Sequence, residues 1–308
     1  MKILITGGLG FIGTNFVNSL LESKFYDFTI VDSQVNSFGI NKLAEDKTYN
    51  FDIIETDRLS DLSRDCTHIV HLAGLGSVPR SIENPNDTFR SNVLGTQSVL
   101  ECARKNNVKV IFASSSSVFG NQGNHVRNEK SERNPISPYG YSKYIDELLI
   151  NSYFETFGVK SYILRFFNVF GPFQTVKNEY AAVIPKILEA VKKDEVFEIH
   201  GDGEQSRDFT YVGDVVSIIR EILKDSDTGT NILNLAWGRK TTLNQIIEII
   251  QVDLALNLKY INTKSRNGDI KNSQNDGVKI RDLYPLIKPT DFKKAIKLTA
   301  DWYLNQKL

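Results

Sequence analysis

A short apolar run, Ile3–Thr6, breaks into Thr6-Gly7-Gly8-Leu9-Gly10-Phe11-Ile12-Gly13, and an amphipathic stretch follows through Ser23. A second apolar run, Thr29–Asp32, comes next. Strand, glycine turn, helix and strand within so short a span leave few folds open, because parallel neighbouring strands need a crossover helix. Further on, His68–Ala73, Val108–Ser114 and Ser161–Phe166 read as buried strands, and Phe89–Lys105 and Tyr139–Phe157 as helices. That alternation implies an α/β fold, a Rossmann-type doubly wound parallel sheet. After Gly171-Pro172 the pattern loosens, with helices expected over Ala181–Lys193, Leu243–Gln251 and Phe292–Leu304. The expected division is residues 1–171 plus about 212–238 for the sheet domain, and about 172–211 plus 239–308 for a smaller α/β domain. Residues 262–277, rich in Asn, Lys, Ser and Gly, are expected to form a loop over a ligand.

The glycine turn follows a strand and opens a helix, the context in which backbone approaches a pyrophosphate and the helix N-terminus meets its charge. Gly7, Gly10, Phe11, Ile12 and Gly13 are therefore candidate cofactor contacts. Asp32 ends the next strand nineteen residues after Gly13. A carboxylate there accepts from ribose hydroxyls and repels a 2′-phosphate, which favours NAD over NADP. Asp52 and Ile53 fall where a further strand would end and are expected near the adenine. Leu72 and Ala73 complete the expected cofactor contacts.

Ser137-Pro-Tyr139-Gly-Tyr-Ser-Lys143 places a phenol and an ammonium four residues apart, stacked on one helix face. Ser137 and Pro138 suit the N-cap and first helical position. Half-ionising a tyrosine near neutrality takes roughly 4 kcal/mol. One cation about 4 Å away, at an effective dielectric of about 20, supplies about that much. On this reading Lys143 makes Tyr139 a general base.

There are 37 basic and 37 acidic side chains, so no net field recruits nucleic acid or an anionic membrane. No stretch approaches the ~20 apolar residues of a membrane span. The apolar start is too short for a secretion signal, and the two cysteines, Cys66 and Cys102, suit free thiols in a reducing compartment. A cytoplasmic location is expected. The four histidines make no metal-ligand cluster, and no metal is expected.

Taken together, these residues resemble the extended short-chain dehydrogenase/reductases of the NAD-dependent epimerase/dehydratase family, which act on nucleotide sugars. The resemblance adds His71-Leu-Ala-Gly74, Asn92-Val-Leu-Gly-Thr96, Phe112–Gly120, Leu164–Pro172, His200–Val212, Asn231–Leu235 and Arg266-Asn-Gly-Asp269. It implies that Ser115, five residues before Gly120, holds the sugar O4 against Tyr139, with Ser116 and Ser117 lining the sugar. Lys143 would also bind the nicotinamide ribose. Tyr139 would take the O4 proton while NAD+ takes the C4 hydride, giving a transient 4-keto sugar. Dehydratases and decarboxylases of the family carry carboxylates beside the catalytic hydroxyl, where this chain has Ser116 and Ser117. The resemblance therefore implies a C4 epimerase.

It further implies that Asn168, Arg207 and Arg266 contact a UDP-sugar. Ser273, seven residues beyond Arg266, would wall the C2 side of the hexose, and so small a residue there leaves room for an acetamide. UDP-N-acetylglucosamine and UDP-N-acetylgalactosamine are the expected pair. A homodimer is implied, with Val93, Leu100, Leu148 and Leu149 serving either that contact or the core. The alternatives are a nucleotide-sugar 4-dehydrogenase or reductase that exchanges its cofactor, another enzyme of the family, or a non-catalytic NAD-sensing scaffold.

Overall fold

A computed structural model describes residues 1–308 except 24, 35–41, 122, 124, 175, 177–181, 227–228, 266–271 and 307–308. It divides into two compact units: residues 1–120, 132–166 and 216–233, and residues 121–131, 167–215 and 234–308.

The first unit is built on a seven-stranded sheet. Its strands are β1 (Lys2–Thr6), β2 (Asp27–Asp32), β3 (Thr48–Asn50), β4 (His68–His71), β5 (Lys109–Ser115), β6 (Ser161–Phe166) and β7 (Thr230–Leu235). They lie in the order β7-β6-β5-β4-β1-β2-β3. β1 pairs in parallel with both β2 and β4, so Ile5 stands opposite Ile30 on one side and Val70 on the other. The chain order reverses between β1 and β4, the place where doubly wound sheets open a crevice. Ile3, Leu4, Ile5, Ile69 and Val70 are fully buried, as strands covered on both faces must be.

Three helices position the chemistry: α1 (Phe11–Leu21), α2 (Gly95–Asn106) and α3 (Pro138–Phe157). The single helix expected over Phe89–Lys105 is instead a helical turn, Pro85–Phe89, a π-turn, Arg90–Leu94, and then α2. The wider turn shifts the helical phase and leaves Asn92 buried. Leu100 is fully buried in the core beside Val99 and Phe112, so it serves packing, whereas Leu148 is half exposed.

α3 begins where the sequence requires. The Ser137 hydroxyl accepts from the Gly140 N–H at 3.1 Å, and Pro138 occupies the first turn. A Cβ on Gly140 would come within 2.8 Å of the Ser117 carbonyl, so this glycine lets the helix start approach the end of β5. The buried stripe of α3 is mostly polar: Gly140, Lys143, Asp146, Glu147, Ile150 and Tyr153. Glu147 is tied to β6 by Arg165, whose Nε and Nη2 donate at 2.8 and 2.7 Å. It also accepts from the Ser114 hydroxyl of β5 at 2.6 Å.

The second unit takes in more chain than expected, including residues 121–131 and 167–171. The Arg127 N–H donates to the Gln274 carbonyl at 2.9 Å, and the Asp276 N–H donates to the Arg127 carbonyl at 2.9 Å. Val169–Phe170 pairs in parallel with Thr210–Tyr211. These backbone pairings, which no local pattern announces, move both boundaries. The unit's core gathers Ile184, Ile187 and Leu188 of α4 (Val183–Lys193) with Ile246, Ile250 and, from α5 (Phe292–Leu304), Phe292 and Ile296. The helix expected at Leu243–Gln251 is Leu243–Glu248 running into a π-turn, Ile249–Asp253. Within the stretch 262–277, Asn272–Ser273 forms a strand beside Ser206–Arg207, and residues 266–271 lie outside the described residues. Among the described residues no helix is long and apolar enough to cross a membrane.

Arg165 and Glu147 are 0% and 2% exposed, so removing one leaves a buried charge alone. Glu147→Ala is expected to lower the unfolding free energy by about 3–5 kcal/mol in urea denaturation. A loss below about 1 kcal/mol would show that the pair does not anchor α3.

Candidate active site

In the first unit a cavity of about 260 Å³ opens at the ends of β1, β2 and β4, lined by Gly7, Gly10, Asp32, Asp52, Ile53, Leu72 and Ala73. Three of the four turn glycines serve different ends. Gly7 has a φ of +72°, and a Cβ there would lie 2.5 Å from the Ala73 nitrogen. A Cβ on Gly13 would sit 2.3 Å from the Gly7 carbonyl oxygen, so strand and helix pack closely there. Gly10 differs, since a Cβ would meet only the Gly7 oxygen, at 3.4 Å. No protein atom requires a glycine at position 10, and the room beside it lies in the cavity, as a pyrophosphate cradle needs. Gly10 caps α1 without a side-chain bond, and Phe11 and Ile12 begin the first turn, which carries no acidic residue. Those free N–H groups suit an anion.

Asp32 is held at the cavity edge, its two oxygens accepting from the Leu9 and Gln34 N–H groups at 2.9 and 2.7 Å. A fixed carboxylate with spare lone pairs fits the hydroxyls of a nicotinamide dinucleotide's adenosine ribose. Asp52 lines the same cavity but already pairs with Arg90 at 2.9 Å, and Ile53 is nearly buried beneath Gly95.

The residues expected to move the proton, Ser115, Tyr139 and Lys143, lie in the same unit. The Ser115 hydroxyl stands close enough to Tyr139 to pull its pKa down, against the effect of burial. The Ser115 hydroxyl also accepts from the Ser117 N–H at 3.1 Å and meets the Ser117 hydroxyl at 3.1 Å, with Ser116 between them. The Lys143 ammonium lies 4.6 Å from the Phe112 ring centroid, and would be 3.5 Å from a Cβ on Gly74. Asn92, quoted above only within a motif, clamps this region. Its amide accepts from the Leu75 N–H at 2.7 Å and donates to the Ser142 hydroxyl at 2.9 Å. His71 contacts Thr6 at 2.7 Å and Thr96 at 3.1 Å through its two ring nitrogens. Burial, with Lys143 nearby, pushes its pKa down to about 3, so it is a neutral linker and not a base.

One expectation fails. Lys143 by itself does not make Tyr139 acidic. Burial raises the Tyr139 pKa above the ordinary phenol value, and the buried Asp146 carboxylate raises it further. Lys143 shares its charge with Asp146 at 3.8 Å, which cancels the field that spacing alone implies. A second positive charge is needed, and the oxidised nicotinamide ring carries one.

The second unit has its own cavity of about 670 Å³, lined by Asn168, Val183, Phe197, His200, Arg207 and Leu243 among others. Asn168 has a φ of +36°, and its amide donates to the Asp208 carbonyl at 3.0 Å. Ser273 does not line the cavity; its hydroxyl accepts from the Arg127 guanidinium at 2.8 Å. Arg127 is 2% exposed and absent from the candidates above, since an arginine in a polar stretch carries no signal of burial. Arg266 and Asp269 lie outside the described residues. Among the described residues no group of His, Cys, Asp and Glu is placed to hold a metal ion.

Residues 3–236 match the NAD dependent epimerase/dehydratase family. A putative UDP-glucose 4-epimerase of Methanocaldococcus jannaschii is 36% identical over 98% of each chain. Among solved structures, a UDP-N-acetylglucosamine 4-epimerase from Methanobrevibacter ruminantium, in complex with UDP-N-acetylmuramic acid, superposes with a TM-score of 0.92. It is 34% identical over 99% of both chains. The UDP-glucose 4-epimerase of Thermotoga maritima, with UDP-glucose, gives 0.89 at 29% identity and 98% coverage of both. The chain therefore belongs to the NAD dependent epimerase/dehydratase family, and its cofactor is NAD.

The glycine geometry separates binding from folding. Gly10→Ala is expected to melt like wild type while weakening NAD at least ~10-fold in a direct titration. Gly13→Ala, pressed against the Gly7 carbonyl, is expected to cost about 1–3 kcal/mol of stability.

Proposed function

We propose that this enzyme interconverts UDP-hexoses at C4, with UDP-N-acetylglucosamine and UDP-N-acetylgalactosamine as its pair. The observation that carries the reading is the hydroxyl cluster at the end of β5. Ser115 and Ser117 meet at 3.1 Å, and the family resemblance sets Ser116 and Ser117 at the positions where dehydratases carry the acid that expels a C6 group. When bound, NAD supplies the hydride acceptor and returns the hydride. The protein's share is to position the sugar and move one proton. Ser115 holds O4 against Tyr139, which accepts its proton and later gives it back. With no carboxylic acid beside Ser115, the ketone is reduced again, and a sugar that has turned over leaves as the C4 epimer.

The cavity of the second unit supports a nucleotide subsite, with Asn168 and Arg207 as contacts and Arg266 as a further phosphate ligand. For the sugar, Ser273 supports N-acetylhexoses, since its small side chain leaves room that a bulky aromatic would fill. The likeness to the Methanobrevibacter enzyme, named for UDP-N-acetylglucosamine, supports the same choice.

The test is incubation with each UDP-hexose and NAD far below the substrate concentration, with NMR of the product. The C4 epimer of the N-acetyl sugars is expected, and Tyr139→Phe should slow it by about 10²–10⁴-fold. Interconversion of UDP-glucose and UDP-galactose alone would overturn the sugar assignment. One NAD consumed for each 4-keto sugar formed would make the enzyme a dehydrogenase, and a 4-keto-6-deoxy sugar formed with no net consumption of NAD would make it a dehydratase. Activity untouched in Tyr139→Phe would remove Tyr139 as the base.

A further inference from the structure

Asp146 is fully buried on α3, three residues beyond Lys143; neither oxygen reaches ordinary hydrogen-bond geometry, and the Lys143 ammonium and the Thr96 hydroxyl are the groups that stand beside it. A bare carboxylate in an apolar interior is costly and persists only beside compensating charge. The groups facing it can be named element by element. On α3 they are Lys143, with Nζ at 3.8 Å, Glu147 and Tyr139. Glu147 is committed to Arg165 of β6 by two hydrogen bonds. On α2 it is the Thr96 hydroxyl, and behind Thr96 stands His71 of β4, neutral, 3.1 Å from that hydroxyl. Lys143 is therefore the cation on which Asp146 depends.

The dependence is mutual. Burial pushes Lys143 toward the neutral amine, and Asp146 is the largest influence acting the other way. We infer that Asp146 is a positioning residue that sets the charge balance of the base: it keeps Lys143 an ammonium inside a buried site, and the same charge withholds ionisation from Tyr139. The inference rests on the reading of Tyr139 as the base. It assigns a task to a side chain that touches no reacting atom, and it accounts for a carboxylate kept in a place where packing alone would favour an apolar residue.

Removing one negative charge lowers the pKa of each group nearby, because that charge favoured the protonated forms. Asp146→Asn, close to isosteric, should therefore move both limbs of the kcat/KM profile toward acid by about one pH unit, the Tyr139 limb and the Lys143 limb together. A merely structural residue would lower the whole profile without moving its limbs. The second readout needs no turnover: the phenolate absorbance of NAD-loaded protein against pH, with Tyr139→Phe as the blank. Its midpoint should fall by a similar amount in Asp146→Asn. If that variant does not fold, Thr96→Val leaves every charge in place and removes the hydroxyl facing the carboxylate. Asp146 is then less ionised, and a smaller acidward shift is expected. A phenolate midpoint that stays put or rises in the folded variant overturns the inference. Epimerisation with an unmoved midpoint would sink the inference and spare the proposed reaction. An acidward midpoint in a protein that epimerises no UDP-sugar would do the reverse.

Discussion

The carboxylate of Glu147 is the fixed point of the catalytic unit. It accepts from Ser114 and Arg165, which stand opposite each other near the ends of β5 and β6, and all three side chains are almost wholly buried. A buried ion pair adds little net stability, but it is expensive to separate. Sliding or rotating α3 would separate it. The helix is thus held in one register against the sheet, and Tyr139, eight residues earlier, is held beside Ser115, the residue after Ser114. The close approach of Gly140 to the Ser117 carbonyl fixes the other end of the same contact. Tyrosine and serine meet because the helix has no other place to go.

Much of this was legible in the sequence, for local reasons. A glycine turn between a strand and a helix is specified by neighbours in the chain, and the bounds of β6 and α5 coincide with the runs Ser161–Phe166 and Phe292–Leu304. What stayed hidden depends on burial, which pattern reading assigns to apolar residues. Nothing in the sequence set Asp146 and Glu147 apart, yet both lie on the buried stripe of α3 while Leu148 is half exposed. The π-turn at Arg90–Leu94 escaped because a single added residue leaves the apolar periodicity nearly intact. The expectation that Lys143 activates Tyr139 erred for the same reason: spacing gives the distance to the cation, and nothing in the spacing reveals a buried anion beyond it.

The second unit shows how far apart in sequence its parts can be. The backbone of Arg127 pairs with Gln274 and Asp276, and its side chain reaches Ser273, 146 residues later in the chain. Burial lowers the Arg127 pKa, and the charge of Arg207 lowers it further, so two guanidiniums act on one region of this unit. Clustered guanidiniums favour a dianionic ligand over a neutral one. Under the proposed function, the hydroxyl that walls the sugar is itself held in place by one of them. Its freedom to shift is therefore smaller than a loop position would suggest.

The chemistry is narrowed by which acids are committed. An elimination at the sugar needs a proton donor that is free to approach a leaving group. Near the Tyr139 hydroxyl the neighbours are serines, too weakly acidic to serve as that donor at neutral pH. The carboxylates of the same helix, Asp146 and Glu147, are bound to the charges of Lys143 and Arg165 and are sealed from solvent. Either one, taken from its cation to protonate a substrate, would strand a buried positive charge. Under the proposed function, the acids of α3 thus place and tune the base, and the sugar's proton travels to Tyr139 and back. Reversible oxidation at one carbon is the reaction such a site can complete.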